Sequence, residues 1–164
     1  MYYNVRERKA AIMLTVFLCD DNRLIIEKYC ALITQIAKNN QIEITLSTFE
    51  SGESLVFHLS DSPNQADIIY LDILMGVQNG IDAARQLRNC GCKAEIVFLT
   101  TSEDFVYEAF DVTPVQYLVK DSTSASKFEQ VFLRAVSLVK DKTTEMFLCE
   151  SGTSRELLPL KSVT

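Results

Sequence analysis

Four apolar runs in this chain each end in polar residues suited to holding a phosphoryl group and a divalent cation. Leu14–Cys19 runs into Asp20 and Asp21, and Ile68–Leu71 ends in Asp72. Ile96–Leu99 ends in Thr100, Thr101 and Ser102, and Val115–Val119 ends in Lys120. A carboxylate can attack a phosphoryl group and become an acyl phosphate. Three carboxylates in one small site repel one another, and a divalent cation relieves that repulsion. Magnesium suits such oxygen donors and keeps several of its waters. A hydroxyl such as Thr100 can hydrogen-bond a phosphoryl oxygen, and an ammonium such as Lys120 can neutralise its charge. Each residue also has a plainer role. Asp20, Asp21 and Asn22 could cap a helix, Asp72 could sit in a turn, Thr100–Ser102 could cap the next helix, and Lys120 could be a surface lysine. The conjunction, in the order acid pair, single acid, hydroxyl and lysine, favours the chemistry.

The elements around these residues must bring them to one place. Leu14–Cys19, Ile42–Phe49, Asp67–Asp72, Ala94–Leu99 and Gln116–Lys120 read as strands. Between them, helical spacing or capping signals mark Asn22–Lys38, Ser51–Leu59, Ile81–Asn89, Ser102–Phe110 and Ser124–Lys142. Ser51 and Ser102 are candidate N-caps, and Gly91 a candidate helix end. Alternating strands and helices imply an α/β fold with a parallel sheet, because parallel neighbours need crossover connections. Right-handed crossovers put helices on both faces, which fits the uninterrupted apolar strands 14–19, 68–71 and 96–99. Ligands of such sheets bind beyond the carboxyl ends of the strands, where all four polar groups fall.

Composition narrows the classes. The chain has 164 residues, 48% of them hydrophobic and 23% charged, with a net charge of -6. That describes a folded core rather than disorder. The acidic balance argues against a nucleic-acid-binding face in this segment. No apolar run approaches the ~20 residues that span a bilayer, so no membrane role is expected. The five cysteines, an odd number with two inside apolar segments, read as reduced thiols of a cytoplasmic protein. Cys90 and Cys92 have the wrong spacing for a usual zinc site. His58 reads as a surface or edge residue. Residues 1–12 lack the apolar stretch of a signal peptide. They read as an extension of no catalytic interest, with Met13 as the natural start. After Lys142, Glu145–Glu150 and Arg155–Leu160 read as two short strands around a Ser151–Thr153 turn.

Taken as a set, the sequence closely resembles the receiver domain of two-component response regulators over residues 13–142. The resemblance rests on Phe17–Asn22, Tyr70–Met75, Asn79 with Gly80, Phe98–Thr101 and Tyr117–Lys120. It implies a doubly wound, flavodoxin-like sheet with strand order 2-1-3-4-5. It implies that Asp72 takes a phosphoryl group from a sensor histidine kinase. Asp20, Asp21 and Asp72 would hold Mg2+ together with the backbone carbonyl of Leu74. Thr100 and Lys120 would contact the phosphoryl group, and Tyr117 looks like the aromatic switch that follows Thr100. Tyr117 could instead simply pack at the sheet edge. Such a domain signals rather than turns over a substrate, beyond its own phosphorylation and slow dephosphorylation. Phosphorylation would bias residues 102–120 and the final helix toward a homodimer.

A narrower resemblance, in Ala109–Lys120, is to receivers of LytTR-type regulators, the LytR- and AgrA-like group. Phe147–Gly152 and Leu157–Val163 resemble the opening of their DNA-binding domain. Residues 143–164 are thus expected to be a linker and the truncated start of that domain, with DNA bound only through the missing remainder. The sequence departs from the family at Asp121, where proline is usual after the lysine, and at Gly76, another common proline position. A haloacid-dehalogenase-like phosphatase would want an acid where Leu74 stands. A flavodoxin-like nucleotide binder would want a Ser/Thr/Gly-rich loop in place of Asp20 and Asp21. A degenerate receiver, acting only as an interaction module, is the remaining alternative.

Overall fold

The uninterrupted apolar runs form the middle of a five-stranded parallel sheet ordered β2-β1-β3-β4-β5. The computed structural model describes residues 13–151. The elements are β1 Leu14–Cys19, α1 Arg23–Asn39, β2 Ile44–Phe49, α2 Gly52–Leu59, β3 Ile68–Leu71 and α3 Gly80–Asn89. They continue with β4 Glu95–Thr100, α4 Val106–Ala109, a 3-10 turn at Phe110–Val112, β5 Gln116–Val119 and α5 Ala125–Ser151. β3 and β4 are buried at every residue, whereas the edge strand β2 alternates between half-buried and exposed. The expected fold class and strand order are those observed.

Period-two alternation sorts the strand residues into two cores. Leu14, Val16, Leu18, Ile68, Tyr70, Val97 and Leu99 face one side, against Ile33 and Ile36 of α1 and Phe128, Phe132 and Ala135 of α5. Phe17, Cys19, Ile69, Leu71, Ile96 and Phe98 face the other, against Leu55 and Leu59 of α2 and Ile81, Ala84 and Leu87 of α3. Ser51 caps α2 as expected, its side chain accepting the Ser54 amide. Gly91 ends α3 at φ +90°, with the Cys92 amide bonded back to the Leu87 carbonyl and the Gly91 amide to Arg88.

Two expected elements differ. The helix expected at Ser102–Phe110 is a single turn, Val106–Ala109, followed by the 3-10 turn. Ser102 accepts the Asp104 amide in a local turn, so it competes with the helix instead of capping it. Phe105, Val106 and Tyr107 are poor helix formers, and Pro114 disfavours helix at the residue before it. Thr113 closes the 3-10 turn in a left-handed conformation, φ 51°, its amide bonded to the Phe110 carbonyl.

The final helix runs to Ser151, so there is no strand at Glu145–Glu150. No glycine or proline interrupts residues 124–151. Thr143 and Thr144 return their hydroxyls to the Val139 and Lys140 carbonyls within the helix. Lys142 donates to the Lys93 carbonyl at 2.6 Å and pairs with Glu95, which fastens the helix to the start of β4. The second expected strand, Arg155–Leu160, and the 1–12 extension lie outside the described residues.

Tyr70 is fully buried, stacked on Phe128 with ring centroids 5.3 Å apart. Its hydroxyl has no hydrogen-bond partner. An orphaned buried hydroxyl carries a desolvation cost of about 1–3 kcal/mol. Tyr70→Phe keeps the stack and removes the orphan. It is expected to raise the urea midpoint with an unchanged slope, a gain of about 1 kcal/mol; a lowered midpoint would show that the hydroxyl is satisfied.

Candidate functional site

Strand register assembles the site. Cys19 pairs with Leu71 across β1 and β3, so Asp20 and Asp72 leave the sheet side by side. Thr100 pairs with Val119 across β4 and β5, so Lys120 follows directly beyond it. The Asp72 amide donates to the Cys19 carbonyl at 2.9 Å, and the Lys120 amide to the Thr100 carbonyl at 2.8 Å. The place is the switch point of the sheet, where chain connections depart in opposite directions from between β1 and β3.

The carboxylates of Asp20, Asp21 and Asp72 each offer an oxygen, all within 4.8 Å of one another. Asp20 and Asp72 are buried while Asp21 is exposed, so the cluster opens to water on one side. Lys120 is buried as well, its ammonium 2.5 Å from Asp20 Oδ2 and 3.3 Å from Asp72 Oδ2. Three carboxylates and one ammonium leave two negative charges, which a divalent cation would balance. A hard oxygen donor set open to water is what magnesium prefers. Asp72 Oδ1 and Thr100 Oγ1, both buried, make no hydrogen bond of ordinary geometry, although the Thr100 hydroxyl is near enough to Asp72 to favour its charged form. These two orphans fit a site that receives further oxygen-rich and cationic groups.

The plainer roles fall elsewhere. Asn22 caps α1, accepting the Leu24 amide at 3.0 Å. Asp20 Oδ1 accepts the Asn22 amide at 2.9 Å, which fixes the acidic turn without making either aspartate the cap. Thr100 lies at the end of β4, and α4 has no side-chain cap. Tyr117 is half-buried. Its hydroxyl donates to the Ser102 carbonyl, and its ring lies 6.2 Å from that of Phe98. It thereby touches the turn that follows Thr100, and it also packs at the sheet edge. The Leu74 side chain is exposed in the loop after Asp72, so any ligand from that residue is its backbone. The Lys120–Asp121 bond is trans, and Lys120 still reaches both buried carboxylates.

Sequence reasoning named Gly80 only as part of a motif. The structure supplies the reason for it. A Cβ there would stand 1.9 Å from the Asp72 carbonyl oxygen, a backbone atom with nowhere to go. Asn79 caps α3 from the adjoining position, accepting the Ile81 amide at 2.7 Å. Helix α3 is thus pressed against the main chain of Asp72, and only glycine permits it.

The family model of the response regulator receiver domain matches residues 16–131. The chain belongs to the receiver-domain family. The transcriptional regulatory protein DcuR of Escherichia coli K12 is 32% identical to it over 120 residues, 72% of this chain and 48% of that protein. The sensory transduction protein LytT of Bacillus subtilis is 29% identical over 66% of this chain and 42% of its own length. The chain therefore spans about half or less of these curated relatives. Among solved structures, the response regulatory domain of mrkE from Klebsiella pneumoniae superposes with a TM-score of 0.68 at 23% identity, covering 78% of this chain and 99% of that one. It shares the receiver fold.

Electrostatics set the receiver's resting state. Burial, and then the neighbouring charge of Asp20, push the Asp72 carboxyl above its ordinary value of 3.8, with Lys120 pulling partly the other way. For Lys120, burial disfavours the ammonium, but the hydrogen bond to Asp20 and the charges of Asp72 and Asp20 outweigh it, and its value is raised. A carboxyl raised in the fold binds its proton more tightly there than in the unfolded chain. Stability is therefore lost as pH rises from 3.8 through the raised value. Asp72→Asn lacks this dependence. In metal-free buffer its stability relative to the unsubstituted domain is expected to grow from below pH 3.8 to neutrality, read from paired urea midpoints. A gap that shrinks over that range would reverse the sign assigned to Asp72.

Proposed function

We propose that Asp72 is the phosphoacceptor of this receiver and takes its phosphoryl group from a phosphohistidine on a sensor kinase, with Mg2+ bound. The observation that carries the reading is the pair of orphaned buried oxygens, Asp72 Oδ1 and Thr100 Oγ1, beside the Lys120 ammonium. An oxygen of Asp72 attacks phosphorus while the bond from phosphorus to the donor imidazole nitrogen breaks. The electron pair leaves with that nitrogen, and an acyl phosphate remains on Asp72. Thr100 donates its hydroxyl to one phosphoryl oxygen. Lys120, now 3.3 Å from Asp72, turns its ammonium to another. Asp20, Asp21 and Asp72, with the Leu74 carbonyl, would hold the magnesium ion, which supplies charge neutralisation for the incoming group.

The output of the natural protein, in this proposal, is transcription. The support is the printed role of DcuR, a transcriptional regulatory protein, and the fact that this chain covers less than half of it. LytTR-type membership rests on the Ala109–Lys120 stretch and the likeness to LytT. Tyr107 and Phe110, both largely exposed on the 102–120 face, support self-association of the phosphorylated form there. The complete set of acids, hydroxyl and lysine favours this reading over an interaction-only module.

Intact mass after incubation with a small phosphodonor and Mg2+ tests the acceptor. One added phosphoryl group is expected in the unsubstituted protein and none in Asp72→Asn. Addition to both would move the acceptor elsewhere, and addition to neither would remove the reading.

A further inference from the structure

We propose that the Cys19 side chain is a positioning residue for the carboxylate site, tying the acidic turn after β1 to the loop after Asp72 and to the start of α2. Cys19 is the last residue of β1, fully buried and directly before Asp20. Its carbonyl receives the Asp72 amide. Its thiol donates to the Ser51 carbonyl at 3.3 Å, where Ser51 caps α2. The same sulfur lies 3.7 Å from Met75 Sδ, close to van der Waals contact. Met75 is itself buried, three residues after Asp72.

One side chain therefore touches both segments that wall the acidic turn. The carboxylates above it need such a brace, because Asp20 and Asp72 repel and Asp72 begins a loop rather than continuing a strand. Main-chain bonds fix the strand ends, but after Asp72 the loop amides of Met75 and Gly80 both fold back on the single carbonyl of Ile73. The Cys19–Met75 contact is a side-chain link from that loop to β1. As the donor to Ser51 the thiol is protonated, so it adds no fourth negative charge. Serine would keep the donor on a shorter arm, and alanine would lose both contacts. Groups that hydrogen-bond a metal ligand directly affect affinity by about 10- to 100-fold when removed. The Cys19 thiol acts one contact further out, on the segments that carry the ligands, so the lower end of that range is expected.

The inference rests on the cluster being a magnesium site, and the experiment separates the two claims. Mg2+ dissociation constants are measured by calorimetry on the folded domain for the unsubstituted protein, Cys19→Ala, Met75→Ala, the double variant and Leu87→Ala. Leu87 belongs to the same core but to the far end of α3, and serves as the control for lost stability. Cys19→Ala is expected to weaken Mg2+ about tenfold and Met75→Ala in the same direction. The double variant is expected to be no worse than the weaker single, because the two side chains act through one contact. Leu87→Ala is expected to stay within about twofold. Cys19→Ser is expected to fall between Cys19→Ala and the unsubstituted protein, and it stands in if the alanine variant fails to fold. Unchanged affinity in the Cys19 variants, or fold-changes that multiply in the double variant, overturns the positioning role. No Mg2+ binding by the unsubstituted protein overturns the site itself.

Discussion

Repulsion among three carboxylates is the constraint on which the rest of this domain depends. Asp20, Asp21 and Asp72 stand within 4.8 Å of each other with two of them buried. Buried charges persist only when paired or coordinated. Lys120 provides one such partner from the edge strand β5, reaching both buried acids at the ends of β1 and β3. One positive charge against three leaves the site short of a cation. The fold holds this deficit at the switch point of the sheet, where water and an incoming group have access.

Packing on the α2–α3 side of the sheet supports the site. Below the acids, Cys19 and Met75 join the α2–α3 core. Beside them, α3 is pressed onto the Asp72 main chain, which only the missing side chain of Gly80 allows. At the other end of α3, the Arg88 guanidinium bonds the carbonyls of Cys92, Ala94 and Val112. That ties α3 to the segment leading into β5, and so to Tyr117 and Lys120. The segment in between, residues 102–112, has one helical turn and exposes Tyr107 and Phe110. Tyr117 holds its start through the Ser102 carbonyl, and Ala109 and Val112 are buried in the α2–α3 core.

Much of this was legible in the sequence, for physical reasons. Strands such as Ile68–Leu71, buried on both faces, are apolar at every position and cannot hide. A polar residue directly after such a run has to emerge at the sheet's end, which is why Asp72, Thr100 and Lys120 could be placed together without coordinates. Short-range competition was harder to read. At 102–110 the acids and Ser102 resemble a helix start, yet the Ser102 turn and the Phe105–Tyr107 run win over it. At 145–150, a run of apolar residues fits either period. The chain continues as helix because nothing stops it and Lys142 holds the turn before it. Contacts between distant segments, such as Cys19 with Met75, left no signal in spacing at all.

The measurement that bears most directly on the account is thermal unfolding against Mg2+ concentration, with ionic strength held constant by NaCl, for the unsubstituted domain and Asp20→Asn/Asp21→Asn. A cation that balances the buried acids binds the folded state alone. The midpoint of the unsubstituted domain should therefore climb with Mg2+, by the equivalent of about 2.7 kcal/mol at a hundredfold excess over the dissociation constant. The double variant should stay flat. Equal responses in the two proteins, or none in either, would contradict the central claim.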